Sequence, residues 1–247
     1  MPDSRGVGET LHARVLGQIR TDIVSCRLMP DERLTLEALR DQYRAGFSPL
    51  REALMRLAAE GLVQLTQNKG FRVAGVSRDS LLDLMQSRID IESIALRRSI
   101  ENGGVEWEAD LLAAFHRLSK QNKLARTQGE TISSEWSKAH RGFHRALVAA
   151  CNSPIMLSIR EGLFEKAERY VALAILSKLA PRNDVAEHEQ IMRAALARSF
   201  SRAVTLNREH IERTFNKVAK SLEKHAEFSR PAAGDARGRE GALRLAG

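Results

Sequence analysis

Four of the seven histidines in this 247-residue chain are spaced for metal binding. His140 and His144 are four residues apart, so on a helix they project from one face in adjacent turns and can hold one ion between them. His188 and His210 each lie on a partly apolar helical stripe, which predicts that both point inward. The four residues therefore form a candidate site for a divalent metal. The alternative is that they only hydrogen-bond one another or the backbone.

The remaining histidines and the cysteines lack a spacing of this kind. His12, His116 and His225 are expected to be surface or structural residues. Cys26 and Cys151 fall in different predicted domains, so neither a disulfide framework nor a cysteine-based metal site is expected.

A metal-dependent hydrolase is the main enzymatic alternative. Helical zinc proteases place a glutamate directly after the first histidine of the pair, where it acts as general base, but this chain has Arg141 at that position. The sequence also lacks a serine elbow, a phosphate loop and a dinucleotide-binding motif. It therefore predicts a protein that is not an enzyme.

The elements that would carry these histidines follow a helical pattern from residue 76 to residue 228, without strand signals. Five breaks divide this region into about six helices: Asn102-Gly103-Gly104, Gln128-Gly129, Asn152-Ser153-Pro154, Ala180-Pro181 and Arg198-Ser199. A region of this length with short connections forms an antiparallel bundle around its own core. The tail, residues 229–247, has little apolar content and is expected to be disordered.

Residues 1–75 are predicted to form a separate domain, because residues 30–73 contain two short helices joined by a turn and then a two-stranded wing. Apolar residues recur on one face of the second helix, while Arg51 points away from that face. Ser48 and Pro49 make a suitable N-cap and first turn for this helix. The predicted fold is mostly α: a winged helix-turn-helix followed by an all-α antiparallel bundle.

The charge balance agrees with a polyanionic partner only weakly. The chain has 39 basic and 31 acidic residues, a net charge of +8 and a pI near 9.9, but a solvated basic surface explains such values equally well. The N-terminus has no apolar signal core, and no window approaches the apolar length needed to span a bilayer. A cytoplasmic protein without a membrane partner is expected.

Several spaced motifs of the N-terminal domain resemble the DNA-binding domain of GntR-family bacterial transcription regulators: Pro30-Asp31-Glu32-Arg33-Leu34, Pro49-Leu50-Arg51-Glu52-Ala53-Leu54, Glu60-Gly61-Leu62-Val63 and Asn68-Lys69-Gly70-Phe71-Arg72-Val73. The resemblance implies that the second helix enters the major groove of double-stranded DNA and that the wing tip reaches the minor groove. The implied contacts come from Ser48, Arg51, Lys69 and Gly70, with phosphate contacts from Arg33 and Arg44.

This chain departs from the family pattern at the start of that helix. The family usually has Ser-Arg-Thr before the proline, and this chain has Gly46-Phe47-Ser48 instead, so a base-reading arginine is missing. The operator sequence of other members therefore cannot be transferred. The family's helix would also begin nearer Gly46 than Ser48.

Three motifs of the helical region resemble the FCD effector domain of the FadR-like branch of this family: His140 through Ala150, Glu187-His188-Glu189-Gln190-Ile191 and Arg208-Glu209-His210-Ile211. Many FCD domains bind a divalent metal through an aspartate and three histidines. His144, His188 and His210 match these histidines, and His140 stands where the aspartate usually is. Four neutral imidazoles favour borderline ions over manganese, so the implied cofactor is zinc or nickel, and a carboxylate ligand would supply the missing negative charge.

Gly103-Gly104-Val105-Glu106-Trp107-Glu108-Ala109-Asp110 and Ser48-Pro49-Leu50-Arg51 are most similar to the carbon-starvation-induced regulator type, which represses genes of small dicarboxylate metabolism. The implied effector is a small organic acid. Arg88 lies on the apolar face of its helix and is a candidate to bind it, but Glu92, one turn later, is an equally good partner for Arg88. Arg169 is the second candidate effector residue.

Taken together, these features predict a ligand-responsive repressor that acts as a homodimer. Two recognition helices related by a two-fold axis would read a palindromic operator. The remaining alternative is an architectural DNA-binding protein whose bundle only dimerises and senses no ligand.

Overall fold

The computed structural model describes residues 11–66, 70–128, 134–176 and 184–223. Within these ranges the chain forms nine helices and three short strands: α1 Leu11–Val24, β1 Arg33–Leu34, α2 Leu36–Tyr43, α3 Phe47–Ala59, β2 Val63–Thr66, β3 Gly70–Val73, α4 Arg78–Asn102, α5 Val105–Gln128, α6 Ser134–Val148, α7 Pro154–Leu176, α8 Val185–Leu196 and α9 Phe200–Leu222. The mostly α fold class predicted from the sequence is confirmed.

These elements belong to two compact units. The first contains the described residues up to Asp79 together with Glu168–Leu173, a short segment of α7. The second contains the described parts of Ser80–Ala167 and Ala174–Lys224. The predicted tail, residues 229–247, and His225 lie outside the described residues.

Helices α2 and α3 form the helix-turn-helix of the first unit. Thr35 caps α2 by accepting a hydrogen bond from the backbone N–H of Ala38 at 3.4 Å. Arg44 ends α2 in the left-handed conformation, with φ of 49°, and its N–H donates to the carbonyl of Arg40. As predicted, α3 buries an apolar face and exposes Arg51, Met55 and Arg56.

The start of α3 differs from the prediction based on Ser48 and Pro49. The helix begins at Phe47, and Gly46 is the N-cap residue, without a side-chain cap. Pro49 is then the third helical residue, where its missing N–H costs nothing because the first four N–H groups of a helix have no intrahelical partner. Ser48 is not the N-cap, and its hydroxyl donates to Glu52 Oε1 at 3.4 Å. The start suggested by the family pattern is the correct one.

The wing is an antiparallel pair of strands, as predicted. Strands β2 and β3 pair with Val63 opposite Val73 and Leu65 opposite Phe71, and Gly70 starts β3 with φ of 79°. The sequence did not predict β1, which adds Arg33 and Leu34 to the other edge of β3. A two-residue strand is too short to produce an alternating pattern.

The second unit contains six of the described helices, in agreement with the predicted number. The predicted break after α4 is confirmed, and it requires glycine because a Cβ on Gly103 would lie 2.3 Å from the ring of Trp107. Arg198, in the turn between α8 and α9, donates to the carbonyl of Gly103 at 2.7 Å. This hydrogen bond connects the α8–α9 turn with the break between α4 and α5. The break predicted at Ala180-Pro181 lies outside the described residues.

Two further expectations concern the cysteines and the membrane. Cys26 and Cys151 are both buried thiols, so no disulfide joins them. Among the helices that the structure describes, none is long and apolar enough to cross a membrane.

Candidate metal centre

The structure brings the four predicted histidines together in the second unit. His140 and His144 lie on α6, His188 lies on α8 and His210 lies on α9. Each histidine offers one ring nitrogen as a ligand atom, and these four nitrogens all lie within 4.8 Å of one another. His140 is half-buried and the other three are buried. Helical spacing explains the first pair, and the packing of α8 and α9 supplies the other two residues.

The spacing of the ring nitrogens fits a shared cation better than a network of hydrogen bonds. Nε2 of His144 lies 3.3 Å from Nε2 of His140 and 3.2 Å from Nε2 of His188. Because a ring nitrogen carries either one proton or one lone pair, Nε2 of His144 can form a good hydrogen bond to only one of the two. Nitrogen ligands at about 2.05 Å around a tetrahedral ion lie about 3.4 Å apart, which is close to both observed separations.

Two carboxylates lie close to the Nδ1 atoms of two of the imidazoles. Glu187 Oε2 lies 3.0 Å from Nδ1 of His210, and Asp184 Oδ1 lies 3.6 Å from Nδ1 of His188. Glu187 is at hydrogen-bonding distance, where a carboxylate orients a ligating histidine and increases its basicity, while Asp184 at 3.6 Å contributes its negative charge. These residues partly offset the positive charge that four neutral ligands leave on an ion. Neither carboxylate was predicted from the sequence, although Asp184 and His188 are four residues apart, a spacing that indicates a shared helical face.

Burial keeps His144 neutral. Desolvation lowers the pKa of His144 well below its ordinary value, and the neighbouring His140, His188 and His210 lower that pKa further, followed by Arg160. At neutral pH the imidazole of His144 is therefore unprotonated. That is the form that binds metal, so no proton has to be displaced from His144.

A second polar cluster in the same unit consists of two arginines that share one glutamate. Arg88 Nη2 lies 2.6 Å from Glu92 Oε1, and Arg160 Nε lies 3.7 Å from the same oxygen. The three side chains are at most 9% exposed. Burial raises the pKa of Glu92, but the adjacent guanidinium groups outweigh burial and hold that pKa below its ordinary value. Arg160 has a second carboxylate partner, because its Nη1 lies 3.4 Å from Oε2 of Glu161, a side chain that is 26% exposed.

The two arginines differ in how completely their hydrogen bonds are satisfied. Arg88 donates to Glu92 through both Nε and Nη2, so the internal pair anticipated from their spacing is present. Arg160 is 1% exposed, and its Nε and Nη2 have no hydrogen-bond partner among the described residues. Arg160 was not predicted from the sequence, because nothing in the spacing of α7 shows that α4 places a glutamate beside it.

The aromatic ring of Phe164 lies close to both the arginines and the histidines. The guanidinium carbons of Arg88 and Arg160 lie 4.8 Å and 4.6 Å from its centroid. The ring centroids of His140 and His144 lie 6.1 Å and 5.7 Å from the same point. Both clusters therefore flank one buried side chain. A cation held by the histidines and the guanidinium of Arg160 would together favour a small anion.

Arg169 belongs to the first unit rather than to the unit that contains the histidines. Its guanidinium donates to the backbone carbonyl of Ala74, and its own carbonyl lies 3.5 Å from Cys26 Sγ. Because this side chain is buried against the backbone of the first unit, we do not retain Arg169 as an effector-binding residue.

The described DNA-binding candidates all lie on the surface of the first unit: Arg33 on β1, Arg44 at the end of α2, Ser48 and Arg51 on α3 and Gly70 on β3. Lys69 lies outside the described residues. Each exposed position is accessible to a macromolecule, as a DNA contact requires.

The family of the chain follows from comparison with known proteins. Residues 11–73 match the family model of bacterial regulatory proteins of the gntR family, and residues 83–213 match that of the FCD domain. The chain therefore belongs to the GntR family of bacterial transcription regulators and carries an FCD effector domain.

Two relatives support this assignment along most of the chain. The HTH-type transcriptional repressor GlaR of Escherichia coli K12 is 39% identical over 197 residues, which cover 78% of this chain and 89% of GlaR. The uncharacterized HTH-type transcriptional regulator BphR of Paraburkholderia xenovorans LB400 is 37% identical over 201 residues, 81% of this chain and 82% of BphR. The protein is thus a transcription regulator, and the hydrolase alternative is rejected.

Among solved structures, E. coli McbR/YncC has the same fold, with a TM-score of 0.72 at 18% identity over 86% of this chain and 99% of that one. A GntR regulator from Rhodococcus sp. RHA1 has a TM-score of 0.68 at 17% identity over 85% of this chain and 97% of that one. These similarities concern the fold alone.

Proposed function

We propose that the protein is a ligand-responsive repressor that binds a palindromic operator as a homodimer and senses a small carboxylate at a metal-containing site. The observation that carries this proposal is the four-histidine group beside a buried guanidinium with unused donors. Buried polar groups in proteins normally have hydrogen-bond partners, and an anionic ligand would provide them for the unused donors of Arg160. The protein would exist in two conformational states that differ in operator affinity. The ligand would shift the balance between them to the extent that it binds one state more tightly than the other.

His140, His144, His188 and His210 are the residues that would hold the ion. Four imidazoles favour zinc or nickel over the harder divalent ions. A zinc or nickel ion bound by these four imidazoles would act as a Lewis acid toward a carboxylate oxygen by expanding its coordination from four ligands to five. The spacing of the nitrogens supports a site for one ion per chain.

The charges suggest a ligand with two carboxylates. One carboxylate would reach the ion and the other would accept hydrogen bonds from Arg160, since Arg88 is already bonded to Glu92. Asn207 is buried and donates to Glu92, while its Oδ1 has no hydrogen-bond partner among the residues described. A hydroxyl group beside the carboxylate would give that oxygen a donor.

Arg160→Lys is expected to weaken the binding of this ligand about 10-fold to 100-fold, because lysine keeps the charge but loses the forked donors. The measurement is calorimetric titration of zinc-loaded protein with unbranched dicarboxylates of three to six carbons, their 2-hydroxy derivatives and their monoamides. We expect one chain length to bind best and its monoamide to bind weakly.

Arg193→Lys is the matched control, because Arg193 lies on α8 with a side chain that is 74% exposed and pairs with Glu189 of the same helix. This variant should bind the acids as wild type does. If Arg160→Lys holds zinc and binds every acid with wild-type affinity, the effector site is elsewhere.

Arg51→Ala is expected to weaken operator binding by roughly 1 to 3 kcal/mol through loss of a base or phosphate contact from α3. Since Arg51 is exposed, the thermal unfolding midpoint should not change. Fluorescence anisotropy with a duplex selected by the wild-type protein measures the effect. Arg97→Ala removes the same charge from an exposed position of α4 and serves as the control. Equal affinities of Arg51→Ala and wild type would contradict the proposed role of α3.

A further inference from the structure

The first residue of α3 presents an aromatic side chain at the protein surface. Phe47 is 45% exposed, whereas Leu50, Leu54 and Leu57 of the same helix are fully buried. The guanidinium carbon of Arg40, in the last turn of α2, lies 5.4 Å from the centroid of the Phe47 ring. This cation–π contact restricts the ring while leaving much of it accessible. Because the Phe47 ring is exposed, it does not provide the stabilisation that a buried phenylalanine provides.

A phenylalanine at this position cannot recognise bases through hydrogen bonds, which is the common form of base recognition. A phenyl ring can neither donate nor accept the hydrogen bonds that read guanine, adenine or cytosine in the major groove. The apolar group on the floor of that groove is the C5 methyl of thymine, which phenylalanine can contact. The N-terminal residues of a recognition helix are the ones that reach base edges, and Phe47 is the first residue of α3.

Phe47 and Arg51 are separated by one helical turn, so their side chains lie next to each other on the surface of α3. We infer that Phe47 determines operator specificity by packing against the methyl group of one thymine in each half-site. The inference rests on the proposed entry of α3 into the major groove, and it adds the base that this position selects. Because burying one methyl group contributes about 0.8 kcal/mol, its removal should lower affinity about fourfold in each half-site.

The test uses a duplex that the full-length wild-type protein enriches from a random-sequence library. Each thymine of this duplex is replaced in turn by deoxyuridine, which removes only the methyl group. For wild type, we expect one thymine in each half-site at which replacement weakens binding about fourfold. Phe47→Ala should bind the unmodified duplex more weakly and lose its sensitivity to uracil at that thymine, while it keeps the sensitivity elsewhere.

Met55→Ala is the matched control, because Met55 lies on the same helix and is 47% exposed, but is two turns further from the N-terminus. This variant should retain the wild-type response to uracil. Phe47→Arg should enrich duplexes with guanine in place of the thymine, since arginine pairs with the O6 and N7 atoms of guanine. Thermal denaturation of each variant verifies that the first unit remains folded.

A Phe47→Ala variant with the uracil profile of wild type would overturn the inference, and Phe47 would then be a surface residue that contacts Arg40 and has no role in base selection. If Arg51→Ala still weakens binding in that case, only the role of Phe47 fails and the proposed entry of α3 stands. If neither variant changes binding, the proposed entry of α3 fails as well. A library from which wild type enriches no sequence would contradict operator binding itself.

Discussion

His144→Ala should abolish binding of the proposed divalent ion, and its unfolding midpoint should no longer change when chelator is added. His144 is buried at the centre of the site, and its Nε2 lies within 3.3 Å of the corresponding atoms of both His140 and His188. An ion bound by the folded state alone adds about 4 kcal/mol to the free energy of unfolding when it is present at about 1,000 times its Kd. Elemental mass spectrometry and thermal denaturation, each with and without chelator, measure both effects.

His116→Ala is the control, because His116 is an exposed residue of α5. This variant should retain one ion per chain and the wild-type unfolding midpoint. A His144→Ala protein that binds zinc as wild type does would contradict the site. A folded wild-type protein that stays empty after incubation with zinc or nickel would show that the histidines form a buried polar core instead.

Glu92→Gln should destabilise the protein by about 3 to 5 kcal/mol, because it leaves the buried guanidinium of Arg88 without its carboxylate and removes one of the two carboxylates beside Arg160. The side chains of Arg88 and Glu92 are 9% and 3% exposed, so solvent cannot replace the lost charge. Arg160, at 1% exposed, has the same oxygen of Glu92 within 3.7 Å. Chemical denaturation of metal-free protein measures the effect without a contribution from metal binding.

The same helix provides a matched control for this variant. Arg97 and Glu101 form an ion pair on α4 with the same four-residue spacing, but their side chains are 69% and 44% exposed. Glu101→Gln should therefore change the free energy of unfolding by about 1 kcal/mol or less. If the two substitutions cost the same, burial does not make the Arg88–Glu92 pair more important than a surface pair.

Patterns that depend on neighbouring residues were readable from the sequence. Helical spacing predicted that His140 and His144 share a face, and the apolar stripes of α8 and α9 predicted that His188 and His210 point inward. The buried face of α3 and the two-stranded wing were predicted in the same way, because helix and turn geometry depends on residues a few positions apart.

Contacts between elements that are distant in the sequence were decided only by the tertiary structure. The spacing of Arg88 and Glu92 left open whether Arg88 would pair internally, and the position of Arg160 on α7 did not show that both arginines would meet the same glutamate. The sequence could describe which residues each helix turns inward, since that follows from local periodicity. It could not decide which charges meet in the core, because the packing of α4 against α7 determines their distances and therefore which donors of Arg160 are left without a partner.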